Sequence, residues 1–157
     1  MVKITEPTSA GRSSAEVFMT CGTAPPKDVP YSEGLPTAAA PPSFAGFALG
    51  VYPFLELQPF HRTYYRVLEA FAAGRIRRLI VTMPPQHGKS VGATTLLPAY
   101  VLGLDPDLRV AIASYSGSLA SKFNRRVQRI LESREYAAFF PDTAIKQGAK
   151  PPGYIRT

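Results

Sequence analysis

The sequence has very little of the chemistry that cysteine and histidine provide. Its 157 residues include one cysteine, Cys21, and two histidines. A single cysteine excludes an intrachain disulfide and a metal cluster held by cysteines. This usage fits a reducing, intracellular setting, because structural disulfides are typical of oxidising compartments.

Long apolar runs are also missing. The longest apolar stretch, over residues 44–55, is interrupted by Gly46, Gly50 and Pro53 and is too short to span a bilayer. The N-terminus lacks a basic segment followed by an apolar core, so the sequence predicts no secretory signal. We therefore expect no membrane partner.

Acidic residues are scarce, and the imbalance belongs to one part of the chain. The formal net charge is +7, with an isoelectric point near 9.8. Residues 1–60 hold 3 basic and 5 acidic residues, which leaves 15 basic and 6 acidic residues in the segment 61–157. Such a basic segment favours a polyanionic partner. A soluble basic surface without a partner would give the same composition.

The chain divides into an arm and a domain. Residues 1–42 are rich in Pro, Ala, Gly, Ser and Thr and cannot bury enough apolar surface to offset the entropy lost on ordering. We expect a disordered Pro/Ala-rich arm over residues 1–42, with one helical turn at residues 14–20. Residues 43–157 are expected to form the domain.

A strand, a short loop and a helix are predicted around the stretch RRLIVTMPPQHGKS, residues 77–90. The apolar run 79–81 indicates a buried strand, which Pro84 and Pro85 must end because neither can donate to a sheet. The residues that follow include Gly-Lys-Ser at 88–90 and open a helix-compatible segment. This order is typical of a phosphate-binding loop.

The residue types suit a nucleotide triphosphate with Mg²⁺. Gly88 lets the backbone approach phosphates, and the helix N-terminus supplies N–H groups and a positive dipole end. Lys89 can reach the β- and γ-phosphates, and the Ser90 hydroxyl can ligate Mg²⁺. The spacing fits GxxxxGK[ST] except at its first position, which is Met83. A chance Gly-Lys-Ser after an apolar run is the alternative.

The flanking segments predict an α/β fold. Helical spacing and turn residues predict helices over 59–73, 88–102 and 116–133, with Gly74 ending the first and Pro98 kinking the second. The apolar segment 108–114 predicts a second strand. The strand, crossover helix and strand would form a right-handed βαβ unit, part of a P-loop NTPase-type α/β/α architecture with an incomplete parallel sheet.

The third predicted helix carries a basic face. At 100° per residue, four residues share one arc: Lys122, Arg125, Arg126 and Arg129. A solvated face and a contact with the phosphate backbone of nucleic acid explain this arc equally well.

Acidic residues for ATP hydrolysis are not apparent. In phosphate-binding-loop enzymes, the acids that hold Mg²⁺ and orient water end a later apolar strand. Asp105 and Asp107 instead lie in a predicted turn, and Glu132 and Glu135 lie on a predicted helix. We therefore assign no catalytic residue and expect nucleotide binding without visible means of turnover.

Residues 57–157 resemble the N-terminal part of the ATPase domain of tailed-phage terminase large subunits. The similar segments are LQPFHRTYYRVLEAFAAGRIRRLIVTMPPQHGKS and PAYVLGLDPDLRVAIASYSGSLASKFNRRVQRILESREYAAFFPD. In that family the loop often reads Pro-Pro-x-His-Gly-Lys-Ser, so Met83 at the first position is expected. The resemblance implies ATP and Mg²⁺ as cofactors and a partial P-loop ATPase domain over residues 43–157.

Further site residues and partners follow from the resemblance. Gln58 and His61 lie where the family has an adenine-side motif, although a helix-terminal surface residue is an equally good interpretation of His61. The implied partners are duplex DNA, a portal, a small terminase subunit and further copies of the chain, in the host cytoplasm. The implied nucleotide-binding residues are Gln58, His61, Pro85, Gln86, His87, Gly88, Lys89 and Ser90.

The family continues into a strand ending in Asp-Glu and an RNase H-like nuclease domain, neither of which this sequence contains. A truncated, split or decayed gene product is therefore expected. Three functions stay open: the ATP-binding part of a motor that drives duplex DNA into a capsid, a non-hydrolysing nucleotide- and DNA-binding fragment or prophage remnant, and a helicase-like P-loop ATPase.

Overall fold

The computed structural model describes residues 16–20, 42–143 and 145. Helices predominate in these residues, and two short strands pair beside them. In chain order the elements are β1 (Glu16–Thr20), α1 (Phe44–Val51), α2 (Pro59–Ala72), β2 (Arg78–Thr82), a π-helical segment (Val91–Leu96), α3 (Leu97–Leu104), α4 (Gly117–Leu131) and α5 (Arg134–Phe139). None of the helices described is long and apolar enough to cross a membrane.

The two strands are parallel, with Glu16 opposite Arg78 and Thr20 opposite Thr82. The helical turn predicted at residues 14–20 is therefore wrong for residues 16–20. The segment EVFMT has the β-branched and aromatic residues that favour strands, and β2 offers it backbone hydrogen-bonding groups. The rest of the arm predicted to be disordered lies outside the described residues, except Pro42.

The predicted strand over 79–81 is confirmed as part of β2, but its burial is not. Exposed and half-buried residues alternate along β2, and Ile80 is 55% exposed. Alternation is typical of a strand with one covered face. Within the described part of the chain, the face that carries Ile80 has no complete covering layer.

The second strand predicted at 108–114 is wrong. The segment has no regular structure, and Leu108 and Val110 are 44% and 40% exposed. A strand needs a neighbour that accepts and donates its ladder hydrogen bonds, whereas the described partner of β2 is β1. The predicted βαβ unit is therefore not formed by this segment. What the described residues show is a mixed fold of helices and a strand pair.

The predicted helix at 59–73 is confirmed as α2, which begins at Pro59. Its end has the hydrogen bonds of a Schellman motif: Gly74 N–H donates to Phe71 O at 3.0 Å and Arg75 N–H to Ala70 O at 3.0 Å. Gly74 has φ +72°, a left-handed conformation that glycine adopts without steric cost. The sequence therefore located the turn that leads into β2.

The predicted helix at 88–102 runs from Lys89 through the π-helical segment to the end of α3. Pro98 does not break it. Proline has no N–H to bond the carbonyl of Thr94, and the turn just before it is wider, with Leu97 N–H bonded to Gly92 O. The irregularity thus appears as a π-helical segment that begins at Val91, shortly after the loop that follows β2.

Aromatic rings fill the core and fix α1 onto α2, α3 and α5. Phe47 is fully buried, with ring centroids 5.4 Å from Tyr100, 6.1 Å from Tyr136 and 5.7 Å from Phe140. The two tyrosines also satisfy buried backbone carbonyls: Tyr100 donates to Pro42 O at 2.6 Å and Tyr136 to Ala99 O at 3.1 Å. The apolar stretch at residues 44–55 therefore packs on the other helices through Phe44 and Phe47, whereas Phe54 is 99% exposed.

The third predicted helix is confirmed as α4. Ser116 caps its N-terminus, accepting a hydrogen bond from Leu119 N–H at 3.2 Å. Val127, Ile130 and Leu131 are its buried residues, so the basic arc faces away from the core.

Candidate nucleotide-binding site

The loop between β2 and the long helix adopts a backbone conformation suited to close contact with a ligand. Gln86 has a φ of +63° and Gly88 a φ of +74°. Among the described residues other than glycine, Gln86 alone has a positive φ. Left-handed backbone at a non-glycine residue is costly and is concentrated at functional sites. Lys89 and Ser90, the first residues of the helix, are both exposed.

His61, near the start of α2, supports this loop. Its Nδ1 accepts a hydrogen bond from Gln58 N–H at 3.2 Å, and its Nε2 lies 3.3 Å from the carbonyl oxygen of His87. Because Nδ1 is an acceptor, Nε2 carries the proton and donates it to that carbonyl. A neutral ring is required, and burial lowers the pKa of His61 below its ordinary value.

Tyr64 supports the loop one helical turn further on. Its hydroxyl donates to the carbonyl oxygen of Lys89 at 2.8 Å. Its ring lies against Gly92, where an added Cβ would come within 2.6 Å of a ring carbon. The sequence did not identify Tyr64 as a site residue, because it lies among the buried residues of α2. Its hydroxyl was the available sign of a polar role.

The structure brings most of the predicted nucleotide-binding residues together. Pro85 to Gly88 lie in one loop, in which His87 Nδ1 lies 2.8 Å from Pro85 O, and Lys89 and Ser90 begin the helix that follows. His61 lies beside this loop, 3.1 Å from the position of a Cβ on Gly88. The Gln58 side chain is exposed, and its backbone holds the His61 ring. Contact of Gln58 and His61 with an adenine stays a prediction.

Two of the acidic residues considered for ATP hydrolysis, Asp105 and Asp107, lie away from the loop. Asp105 and Asp107 form a turn just beyond α3, where Asp107 N–H donates to Asp105 Oδ1 at 3.1 Å. The loop and this turn are therefore at opposite ends of one continuous helical stretch. In the part of the chain that the structure describes, no group of three or more His, Cys, Asp or Glu residues is placed to hold a metal ion.

The four basic residues of α4 are exposed but do not share one environment. Arg126 and Arg129 line a groove of about 740 Å³, which Val91 and Thr95 of the π-helical segment also line. Lys122 and Arg125 lie outside that lining on the same helix. The predicted nucleic-acid residues thus form two pairs, one of which borders a concave surface.

A pH dependence of stability follows from the role of His61. Because its pKa is lowered in the folded chain, its contribution to stability is present above the ordinary value of 6.5 and is lost as pH falls through the lowered pKa. We expect the chemical denaturation midpoint to drop between about pH 8 and about pH 5.5, less so in His61→Gln. His87→Gln is the matched control, and equal acid sensitivity of all three proteins would contradict the role.

Comparison with family models, curated proteins and solved structures yields no match to this chain.

Proposed function

We propose that residues 83–90 bind the phosphates of ATP together with Mg²⁺. The observation that carries the proposal is the left-handed backbone at Gln86 and Gly88, placed directly before a helix N-terminus with Lys89 and Ser90 exposed. N–H groups at a helix N-terminus attract anions, and a lysine ammonium adds a full positive charge. Few other ligands need this combination.

The residues present fit both cofactors. Gly88 has no Cβ that would obstruct a phosphate, and its conformation is one that glycine adopts freely. Lys89 would neutralise phosphate charge, and the Ser90 hydroxyl would supply one oxygen ligand to Mg²⁺. Mg²⁺ bound to the phosphates would screen their charge. His61 and Tyr64 would hold the loop in place without touching the nucleotide phosphates themselves.

At the finer level we propose the ATP-binding portion of a DNA-packaging motor of the terminase type. This proposal is supported by the resemblance of residues 57–157 to that family and by the basic face of α4. A non-hydrolysing nucleotide-binding protein is the second candidate. It is favoured by the position of Asp105 and Asp107 at the far end of the helical stretch from the loop.

The test is calorimetric titration of the full chain with Mg-ATP, beside steady-state hydrolysis. We expect saturable binding that weakens about tenfold or more in Lys89→Ala, since a charge-assisted hydrogen bond contributes roughly 1.5–3 kcal/mol. Lys122→Ala removes the same charge from an exposed site on α4 and should leave binding unchanged. Turnover abolished by Lys89→Ala would support the motor, and binding without turnover the second candidate. Absence of binding would overturn both.

A further inference from the structure

A second concave surface lies beside the loop, between the segment that follows α1 and the exposed side of α4. Residues 51–55 line it from the segment that follows α1, which we call the apolar wall, and Arg126 and Arg129 line it from α4, which we call the basic wall. Val91 and Thr95 also line the groove. Its volume of about 740 Å³ is within the range typical of small-ligand sites. The groove combines an apolar wall and a basic wall, which is unusual for a surface that only contacts water.

Phe54 is the feature of this groove that most needs an explanation. Its side chain is 99% exposed, whereas Phe44 and Phe47, only a few residues earlier, are fully buried. A free phenyl ring gains nothing from water and offers a flat face for stacking. Phe54 follows Pro53, whose fixed φ limits the conformations of the segment that carries the ring.

The positive charges of Arg126 and Arg129 influence a residue on the other side of the groove lining. Tyr52 is half-buried, and burial raises the pKa of its phenol while the positive charges of Arg126 and Arg129 oppose that rise. Both guanidinium groups are therefore close enough to the groove wall to influence a group there. Guanidinium groups bind phosphate through paired N–H donors, and they also stack on aromatic faces.

An exposed aromatic ring and two guanidinium groups that line the same groove match the chemistry of an unpaired nucleotide. We propose that this groove binds single-stranded nucleic acid, with a base stacked on Phe54 and the adjoining phosphates paired with Arg126 and Arg129. Stacking platforms combined with a positive groove are the general means by which proteins hold single strands. In a duplex the base faces are covered by their neighbours, so a duplex could use only the basic wall.

This inference goes beyond the ATP proposal, because its residues lie outside 83–90. The two proposals can fail separately. Lys89→Ala tests the loop, and strand binding by the groove can be measured in the Lys89→Ala protein. A nucleotide held by the loop with its base in the groove would instead make Mg-ATP compete with a bound strand. Saturating Mg-ATP that displaces the strand would overturn the inference.

The experiment is fluorescence anisotropy of the full chain with a labelled oligothymidylate of about ten nucleotides and with a duplex of similar length. We expect Phe54→Ala to weaken single-strand binding roughly tenfold, since stacking contributes about 1–3 kcal/mol per base. Tyr115→Ala is the matched control, because Tyr115 is 94% exposed but lies outside the groove. Equal effects of the two substitutions would overturn the inference.

Paired charge removals on α4 make a second comparison. Arg126→Ala with Arg129→Ala should weaken single-strand binding much more than Lys122→Ala with Arg125→Ala, and should reduce its salt dependence. The loss in Phe54→Ala should persist at high salt, because stacking is not an ionic interaction. Equal losses from both pairs, equal binding of the duplex, or displacement by polyglutamate as effective as by unlabelled strand would each overturn the proposal.

Discussion

Substituting Gly88 with alanine is expected to remove Mg-ATP binding from a chain that still folds. Two features act together at this position: φ is +74°, and a Cβ would lie 3.1 Å from Nε2 of His61. The left-handed backbone costs a non-glycine residue roughly 1–2 kcal/mol. An alanine would relieve this strain and this clash by rotating the peptide groups proposed to bind phosphates and by displacing the His61 ring that donates to His87 O.

Gly74→Ala is the matched control for this prediction. Gly74 has nearly the same conformation, with φ +72°, and nothing lies within 4 Å of its Cβ position. Both variants should therefore lose a similar, small part of the free energy of unfolding. Only Gly88→Ala should weaken Mg-ATP binding in calorimetric titration, by about tenfold or more if one hydrogen bond to phosphate is lost. Equal binding by the two variants would contradict a phosphate-binding role for the loop.

The largest loss of stability is expected from Phe47→Ala. Phe47 is fully buried, and its ring contacts those of Phe44, Tyr100, Tyr136 and Phe140. Removing a buried phenyl ring leaves a cavity and costs about 3–5 kcal/mol, a large share of the stability of a small domain. The melting transition followed by circular dichroism should shift strongly or disappear.

Phe54→Ala is the control for the core prediction, because it makes the same chemical change at a residue that is 99% exposed. Its melting transition should match that of the unsubstituted chain. A strong destabilisation by Phe54→Ala would show that Phe54 packs against other parts of the chain. It would then be unsuited to stack on a base.

Local signals predicted the elements that depend on local structure. Helical spacing and Gly74 located α2, and helical spacing located α4. The segment 108–114 has an equally clear apolar pattern, but the strand predicted there was wrong. A strand forms only beside a partner strand, and the apolar pattern of one segment does not say where its partner lies. The strand β1 was missed for the same reason: its partner β2 lies some sixty residues later in the chain.

In the candidate site, too, the local sequence predicted the loop, but not the contacts between residues that are far apart in the chain. Spacing predicted a loop that ends in Gly-Lys-Ser and opens a helix, and in the structure Pro85 to Gly88 form the loop and Lys89 begins the helix. The support from α2 depends on contacts between residues 25 and 26 positions apart, Tyr64 with Lys89 and His61 with His87. The groove was not predicted at all, because it brings Phe54 and Arg126 together from separate helices and loops.

The two side-chain hydrogen bonds from α2 to the loop are accepted by loop carbonyl groups. His61 donates to the carbonyl of His87, and Tyr64 donates to the carbonyl of Lys89. Every amino acid supplies that carbonyl, so these two hydrogen bonds do not depend on which residues stand at positions 87 and 89. The His87 ring also lies 5.4 Å from that of Phe60 and its Nδ1 lies 2.8 Å from Pro85 O, so replacing His87 removes further contacts. Position 89 can therefore evolve, or be redesigned, while the hydrogen bond from Tyr64 to its carbonyl is kept.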